Sequence, residues 1–129
     1  MMLQVVVETL RLPAALAIPA SAAETVTIKS CYDGDTCTTT TGEKIRLACI
    51  DTPELRGKNA QPAPAMAAKY HLNGMLMNQK VGIRRIKTDR YGRTVAELFI
   101  DGTNVQQAMV ASGHAKIFWK YASQCPWAQ

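Results

Sequence analysis

Asp33-Gly34-Asp35-Thr36 and, a little further on, Ile45-Arg46-Leu47-Ala48-Cys49-Ile50-Asp51-Thr52-Pro53-Glu54 gather an arginine and several acids within residues 33–54. Carboxylates at the ends of strands offer hard anionic oxygens, which suit Ca²⁺ or Mg²⁺ rather than a soft metal. A guanidinium beside them grips phosphate oxygens in pairs. Together they point to metal-assisted phosphoryl chemistry. Asp35 and Asp51 are the candidate metal ligands. Each acid alone has an ordinary use: aspartate beside glycine shapes bends, and Asp51-Thr52-Pro53-Glu54 has the form of a capped helix or turn start. Asp33 reads equally as a turn former. It is the coincidence of the acids with Arg46, on the solvent side of its strand, that favours a site.

A second constellation is Asp89-Arg90-Tyr91-Gly92-Arg93, with Arg84, Arg85 and Lys87 just before it. It is the densest basic stretch in the chain. It reads either as a solvated strand face or as a phosphate-binding wall on which Tyr91 stacks or hydrogen-bonds a nucleotide. Trp119 and Tyr121 share one face of an alternating segment, as a base-stacking platform or as core, with core favoured for Trp119. His71 and His114 each stand without a carboxylate or cysteine at ligand spacing and read as structural. Ser112 and Ser123 carry no nucleophile motif. The net charge of +5 and the pI near 9.2 agree with a polyanionic partner.

At 129 residues the chain is one domain, small enough that its core is only marginally stabilising. Residues 1–22 differ in composition. Leu12 to Ala20 is apolar, and Ala20-Ser21-Ala22 has the small-x-small form of a signal-peptidase site. The apolar run is well short of the roughly 18–20 residues that span a bilayer, so no membrane anchor is expected. Residues 1–22 thus read as a signal peptide, residues 23–129 as the domain, and the destination as periplasmic or secreted. The cysteines, Cys31, Cys37, Cys49 and Cys125, match no zinc spacing. Cys31 and Cys37 are symmetric about Gly34, so a hairpin there would face them for a cross-strand disulfide. Four cysteines allow three full pairings, and Cys49, alternating with Ile45 and Leu47, reads as a core thiol.

The elements that must hold these residues follow from propensity and period. Thr25 to Tyr32 and Thr36 to Thr40 read as strands around the bend at Asp33-Gly34-Asp35. Thr41-Gly42 turns into a third strand, Glu43 to Ile50, which Pro53 stops. Arg56 to Pro64 is a loop. Ala63 to Asn78 is helical, with Ala65, Ala68, Leu72 and Met75/Leu76 as its stripe. Val81 to Lys87 and Thr94 to Ile100 are strands around the Asp89–Gly92 turn. Thr103 caps a second helix, with Gln106 completing a capping box, and Gly113 closes it. Ala115 to Tyr121 alternates again. The order β-β-β-α-β-β-α is α+β and matches the OB-fold, a five-stranded, partly open barrel.

Taken together, Asp33-Gly34-Asp35-Thr36, Arg46-Leu47 through Asp51-Thr52-Pro53-Glu54, Asp89-Arg90-Tyr91-Gly92-Arg93, and Asp101-Gly102 through Gly113-His114-Ala115-Lys116 resemble the thermonuclease (staphylococcal nuclease) family across residues 25–121. The resemblance implies a Ca²⁺-dependent, sugar-non-specific phosphodiesterase, acting as a monomer on DNA and RNA and leaving 3′-phosphate ends. It implies Ca²⁺ ligation by Asp35, Asp51 and the Thr52 carbonyl, and a Glu54 that positions or deprotonates the attacking water. Arg46 and Arg93 would stabilise the phosphorus centre. Arg90 and Tyr91 would hold a substrate phosphate, and Trp119 and Tyr121 would line the nucleotide pocket. Trp119 stands where the family often has tyrosine. The family usually continues into a third helix where this sequence ends at Gln129, so uncovered apolar surface is expected there. The rival reading is an OB-fold module that grips nucleic acid without cutting it, although such domains lack one or more of these acids and arginines. A third is a poorly folded remnant.

Overall fold

The computed structural model describes residues 24–129; the expected signal peptide, residues 1–22, lies outside them. The first three strands are β1 (Thr25–Cys31), β2 (Thr36–Thr39) and β3 (Lys44–Leu47), followed by the short β4 (Ile50–Asp51). Helix α1 (Pro62–Leu76) leads into the long pair β5 (Lys80–Thr88) and β6 (Thr94–Ile100). The chain ends through β7 (Thr103–Asn104), α2 (Val105–Ala111), β8 (Lys116–Ile117) and two 3₁₀ turns, Trp119–Gln124 and Pro126–Ala128.

The sheet runs β3-β2-β1-β5-β6-β7, and β3 also pairs with β6 in parallel. That extra pairing joins the two ends of the five main strands, which closes them into a barrel and removes the open edges of a flat sheet. The barrel interior takes Ile28, Ile45, Leu47, Ile83 and Leu98 from the strands, and Leu72, Leu76 and Met109 from the helices, all 2% exposed or less. Each such side chain contributes on the order of 2 kcal/mol by leaving water.

Helix α1 is bound to the barrel where the first acids sit. Asn73 donates to the Cys31 carbonyl and accepts from the Cys31 amide, at 3.0 and 2.8 Å. Gly34 lies so close to the helix that a Cβ there would fall 2.8 Å from Ala68 Cβ and 2.9 Å from Thr52 Cγ2. Only glycine lets the bend, the helix and residue 52 pack together. Cys31 and Cys37 are a register pair across β1 and β2 and form the expected disulfide.

Several expectations are corrected. The single third strand is broken: Cys49 takes a left-handed conformation, φ 69°, so β3 ends at Leu47 and Ile50–Asp51 pairs instead with β8. The break also explains why Cys49 is no free core thiol, since it is bonded to Cys125. The alternation from Ala115 to Tyr121 yields strand only at Lys116–Ile117. Beyond it the chain winds into a 3₁₀ turn, which leaves Trp119 70% exposed rather than in the core. The cap of α2 is Asn104, whose side chain accepts from the Gln107 amide. Gln106 is buried and bonds both the amide and the carbonyl of Leu98, so it ties α2 to β6 instead of completing a capping box. The apolar surface expected to lie uncovered near the end of the sequence is covered by the last turns. Ala122, Cys125 and Ala128 bury a cluster with Ala48, Cys49 and Val95, and Trp127 packs there and donates to buried Glu97 at 2.7 Å.

Candidate active site

The bend after β1 is built by its own aspartates. Asp33 accepts from the Asp35 amide at 3.0 Å, and the Tyr32 amide donates to the Thr36 carbonyl at 2.8 Å. Asp35 is thereby turned inward, where it is 7% exposed. Its Oδ2 accepts from the amide and hydroxyl of Thr52, at 3.2 and 2.9 Å, and Arg46 Nη2 lies 3.4 Å from the same oxygen. Arg46 is fixed at its other nitrogen, where Nη1 donates to the Leu47 carbonyl at 2.7 Å. Asp51 ends β4 and Glu54 follows Pro53; both are exposed, and neither carboxylate has an ion pair or hydrogen bond among the described residues.

Arg93 reaches the same place from the other end of the barrel. It directly precedes β6, whose parallel pairing sets Ile45 against Thr94 and Arg46 against Val95. Asp89 holds it: Oδ2 accepts from Arg93 Nε at 2.8 Å and Oδ1 from its amide at 2.9 Å. Burial pushes the Asp89 carboxyl up, but the hydrogen bonds from Arg93 and from the Tyr91 amide outweigh it and leave the pKa lowered, so it is ionised at neutral pH. With Nε occupied, the outer edge of the guanidinium is left for a ligand.

A cleft of about 480 Å³ is lined by Asp35, Arg46, Asp51, Thr52, Glu54 and Arg93. Every residue expected to bind the metal or to act at the phosphorus centre is in it. A second cleft of about 590 Å³ takes in Lys87, Arg90, Tyr91, Lys120 and Tyr121. The two meet at Arg46, Arg93 and Phe118. Tyr91 is 68% exposed, with the Arg90 and Arg93 guanidinium groups 4.9 and 5.3 Å from its ring centre. Tyr121 lies between the ammonium groups of Lys87 and Lys120, at 5.3 and 5.5 Å. Trp119 stands outside the lining of both clefts.

The basic wall is smaller than the run of charges implies. Arg84 is taken up by Glu97, its Nε donating at 2.8 Å, and by the Gln124 carbonyl at 2.8 Å. Arg85 is forked onto Glu43 at 2.9 and 2.8 Å and reaches Glu24 at 3.0 Å. A shift of register between Arg85 and Lys87 separates these two from the residues of the cleft. Sequence spacing also leaves Phe118 unmarked, since it faces away from Trp119 only in an imagined strand. The hold of Asp89 on Arg93 did have a signal, an acid four residues before an arginine across a glycine turn.

The residues fit a hard cation by donor chemistry. Asp35, Asp51 and Thr52 line one cleft, and their candidate donors, two carboxylates and a backbone carbonyl, are all oxygen. Crowding of negative charge on the bend supports this: the Asp33 carboxyl is pushed up to about 6, by burial first and then by the neighbouring Asp35 carboxylate, and a cation relieves such repulsion. Among the described residues no three His, Cys, Asp or Glu side chains form a closed cage. A cation there would rest on two carboxylates and a carbonyl, and so would keep positions for water and for phosphate oxygen.

This geometry is accompanied by a match to known proteins. Residues 44–127 match the staphylococcal nuclease homologue family. The SPbeta prophage-derived endonuclease YokF of Bacillus subtilis (strain 168) is 32% identical over 103 residues, covering 74% of this chain and 35% of that protein. Endonuclease YncB of the same organism is 32% identical over 103 residues, covering 74% and 49%. An uncharacterized endonuclease of Haemophilus influenzae is 33% identical over 94 residues, covering 70% and 50%. The chain thus spans about a third to a half of the length of these relatives. The family match takes in β3 through the last 3₁₀ turn, with Arg46, Asp51, Thr52, Glu54 and Arg93 inside it, and the barrel closes as the resemblance implied, so the chain belongs to the staphylococcal nuclease homologue family.

Proposed function

We propose that the chain is a Ca²⁺-dependent nuclease that hydrolyses phosphodiester bonds of DNA and RNA and leaves 3′-phosphate ends. The observation that carries this reading is the meeting of Arg46 and Arg93 with Asp35, Asp51 and Glu54 in one cleft. The phosphate sits where the two clefts join, within reach of both guanidinium groups. Glu54, exposed and without a partner, takes a proton from a water as that water attacks phosphorus. Arg46 and Arg93 donate to the phosphate oxygens as negative charge builds on them. Asp89 keeps Arg93 aimed. The bond from phosphorus to the 5′ oxygen breaks, that oxygen takes up a proton from solvent, and the phosphate stays on the 3′ side. Bound at Asp35, Asp51 and the Thr52 carbonyl, Ca²⁺ would supply Lewis acidity to the phosphoryl group. Arg90 and Tyr91 hold an adjoining phosphate and sugar, and Tyr121 lines the nucleotide pocket; Trp119, on the exposed turn beside it, is assigned to the rim.

The two disulfides support export, as such bonds persist in oxidising compartments. Among the described residues no helix is long and apolar enough to cross a membrane. We further take the working form to be a monomer.

The deciding experiment is hydrolysis of single-stranded DNA by the purified, disulfide-intact chain, first with Ca²⁺ and then with a chelator. Cleavage that requires Ca²⁺ and leaves 3′-phosphate ends is the expected result. Tight binding without cleavage would replace the nuclease by a binding module, and wild-type rates in Asp35→Asn would remove the metal assignment.

A further inference from the structure

In the reading above, a nucleotide in the Tyr91 cleft occupies only one side of the scissile phosphate. The acid-lined cleft continues on the other side of the arginine pair, to Tyr32 and Arg56. Neither residue has a task in the reaction. Tyr32 is 59% exposed at the end of β1, next to the bend that carries Asp35. Arg56 is exposed and makes no ion pair among the described residues. A single exposed tyrosine requires no function. Here, however, the aromatic ring and the free guanidinium share a cleft with the expected metal ligands and the arginine pair. A π-face for a base and a cation for a phosphate are the two groups a nucleotide calls for.

The backbone that carries the tyrosine is also held in place. Its amide donates to Thr36, its neighbour Cys31 is cross-linked to Cys37 over the hairpin, and Asn73 of α1 bonds both backbone groups of Cys31. A ring carried on a fixed backbone has only its own side-chain freedom to lose when a base settles on it.

We propose that Tyr32 and Arg56 form a second nucleotide subsite on the side of the scissile phosphate away from Tyr91, with Tyr32 stacking on the base and Arg56 taking the next backbone phosphate. The inference rests on the nuclease reading and deepens it. The substrate is then gripped on both flanks of the broken bond. Because a stacked base must first leave its duplex partner, single strands are favoured over double strands.

The test uses the full, disulfide-intact chain and its Tyr32→Ala, Tyr32→Phe and Arg56→Gln variants. The substrates are short single strands with one cleavable linkage, carrying a base on both flanks or an abasic sugar on one flank or the other. Tyr32→Ala is expected to raise KM about 5-fold or more on the fully based strand, with kcat unchanged. It should cost nothing further on the strand that is abasic on the Tyr32 flank. Tyr32→Phe should behave as the wild type, and Arg56→Gln should lower the salt slope of binding by about 1. An unchanged KM overturns the proposal. So does a Tyr32→Ala penalty that is equal on all strands and falls on kcat, since that marks a tyrosine that merely steadies the Asp35 bend. If the wild type cleaves nothing, the nuclease reading fails, and fluorescence anisotropy with the same strands decides the subsite: weaker binding by Tyr32→Ala upholds it, and equal or absent binding overturns it.

Discussion

Glu54 and Asp51 differ from the other acids of the site in standing exposed and unpartnered, while Asp35 is buried under four donors, the Thr52 amide and hydroxyl, the Thr36 hydroxyl and Arg46. The two situations predict different losses. Glu54→Gln keeps the shape and removes the proton acceptor, so kcat should fall about 10²- to 10⁴-fold. Ca²⁺ affinity, read by calorimetry, should be nearly unchanged. A kcat within a few-fold of wild type would take the proton transfer away from Glu54. At this scale the sequence was readable where charge and spacing both spoke. Asp35, Arg46 and Arg93 stand in short motifs whose turns are local, and the structure gathers them. Arg84 and Arg85 show the limit. By type and position they belong with Arg90, yet Glu97, Glu43 and Glu24 consume them, and those partners come from β6 and from the residues just before β3 and β1. No local pattern reveals a partner that only the barrel brings near.

Among the elements, the strands and helices with strong periodicity were legible, and the short connectors between them were not. Ile45 and Leu47 alternate into the core as expected. The break at Cys49 follows from a left-handed residue and a bond to Cys125, and nothing within Glu43–Ile50 signals either. The two disulfides have separate work. Cys49–Cys125 spans 76 residues of sequence and Cys31–Cys37 spans 6. On chain-entropy grounds the long loop is worth about 4 kcal/mol and the short one about 2. Replacing Cys49 and Cys125 by alanine should therefore cost more melting temperature. Replacing Cys31 and Cys37 should cost more activity, because that bond underlies the Asp33–Asp35 bend. The reverse ranking in paired melts and rate assays would refute the division. Glu43, just before β3, links Arg85 on β5 and Thr94 at the start of β6. The Arg85 hydrogen bond chiefly holds its pKa below the usual 4.5. A carboxylate lowered on folding stabilises fully above its unfolded value and less as pH falls through the folded one. The Glu43 contribution to melting temperature, read as the difference between wild type and Glu43→Gln, should thus be constant above about pH 5 and shrink below 4.5. With Arg85 partly solvated, the effect is on the order of 1 kcal/mol or less.

For the molecule as a whole, the proposed Ca²⁺ would couple to the fold. A ligand at a hundredfold its dissociation constant adds about 2.7 kcal/mol to the folded state, which for a domain of this size is on the order of 10 °C. Calorimetric scans with and without Ca²⁺ should show that rise for the wild type and none for Asp35→Asn. An equal rise in both would place the cation elsewhere. The fold class was the most legible property of all, because the order of elements and the basic charge were both visible in the chain. The barrel was implied by the match of that order to the OB-fold and by no local pattern, since β3 and β6 are far apart in sequence.

That closing pair has a consequence in time. Asp35 and Arg46 come from a single early stretch of chain, and the local β2–β3 hairpin brings them together soon, whereas Asp51 waits for its partner strand β8. Arg93 joins only when β6 docks beside β3, a non-local contact that comes late because its loop must first be closed. During refolding, cleavage should therefore return after the far-ultraviolet signal, and a simultaneous return would refute the order. In the proposed nuclease, a chain still being made would therefore lack both its second arginine and a placed Asp51, and cleavage would wait until the barrel is shut.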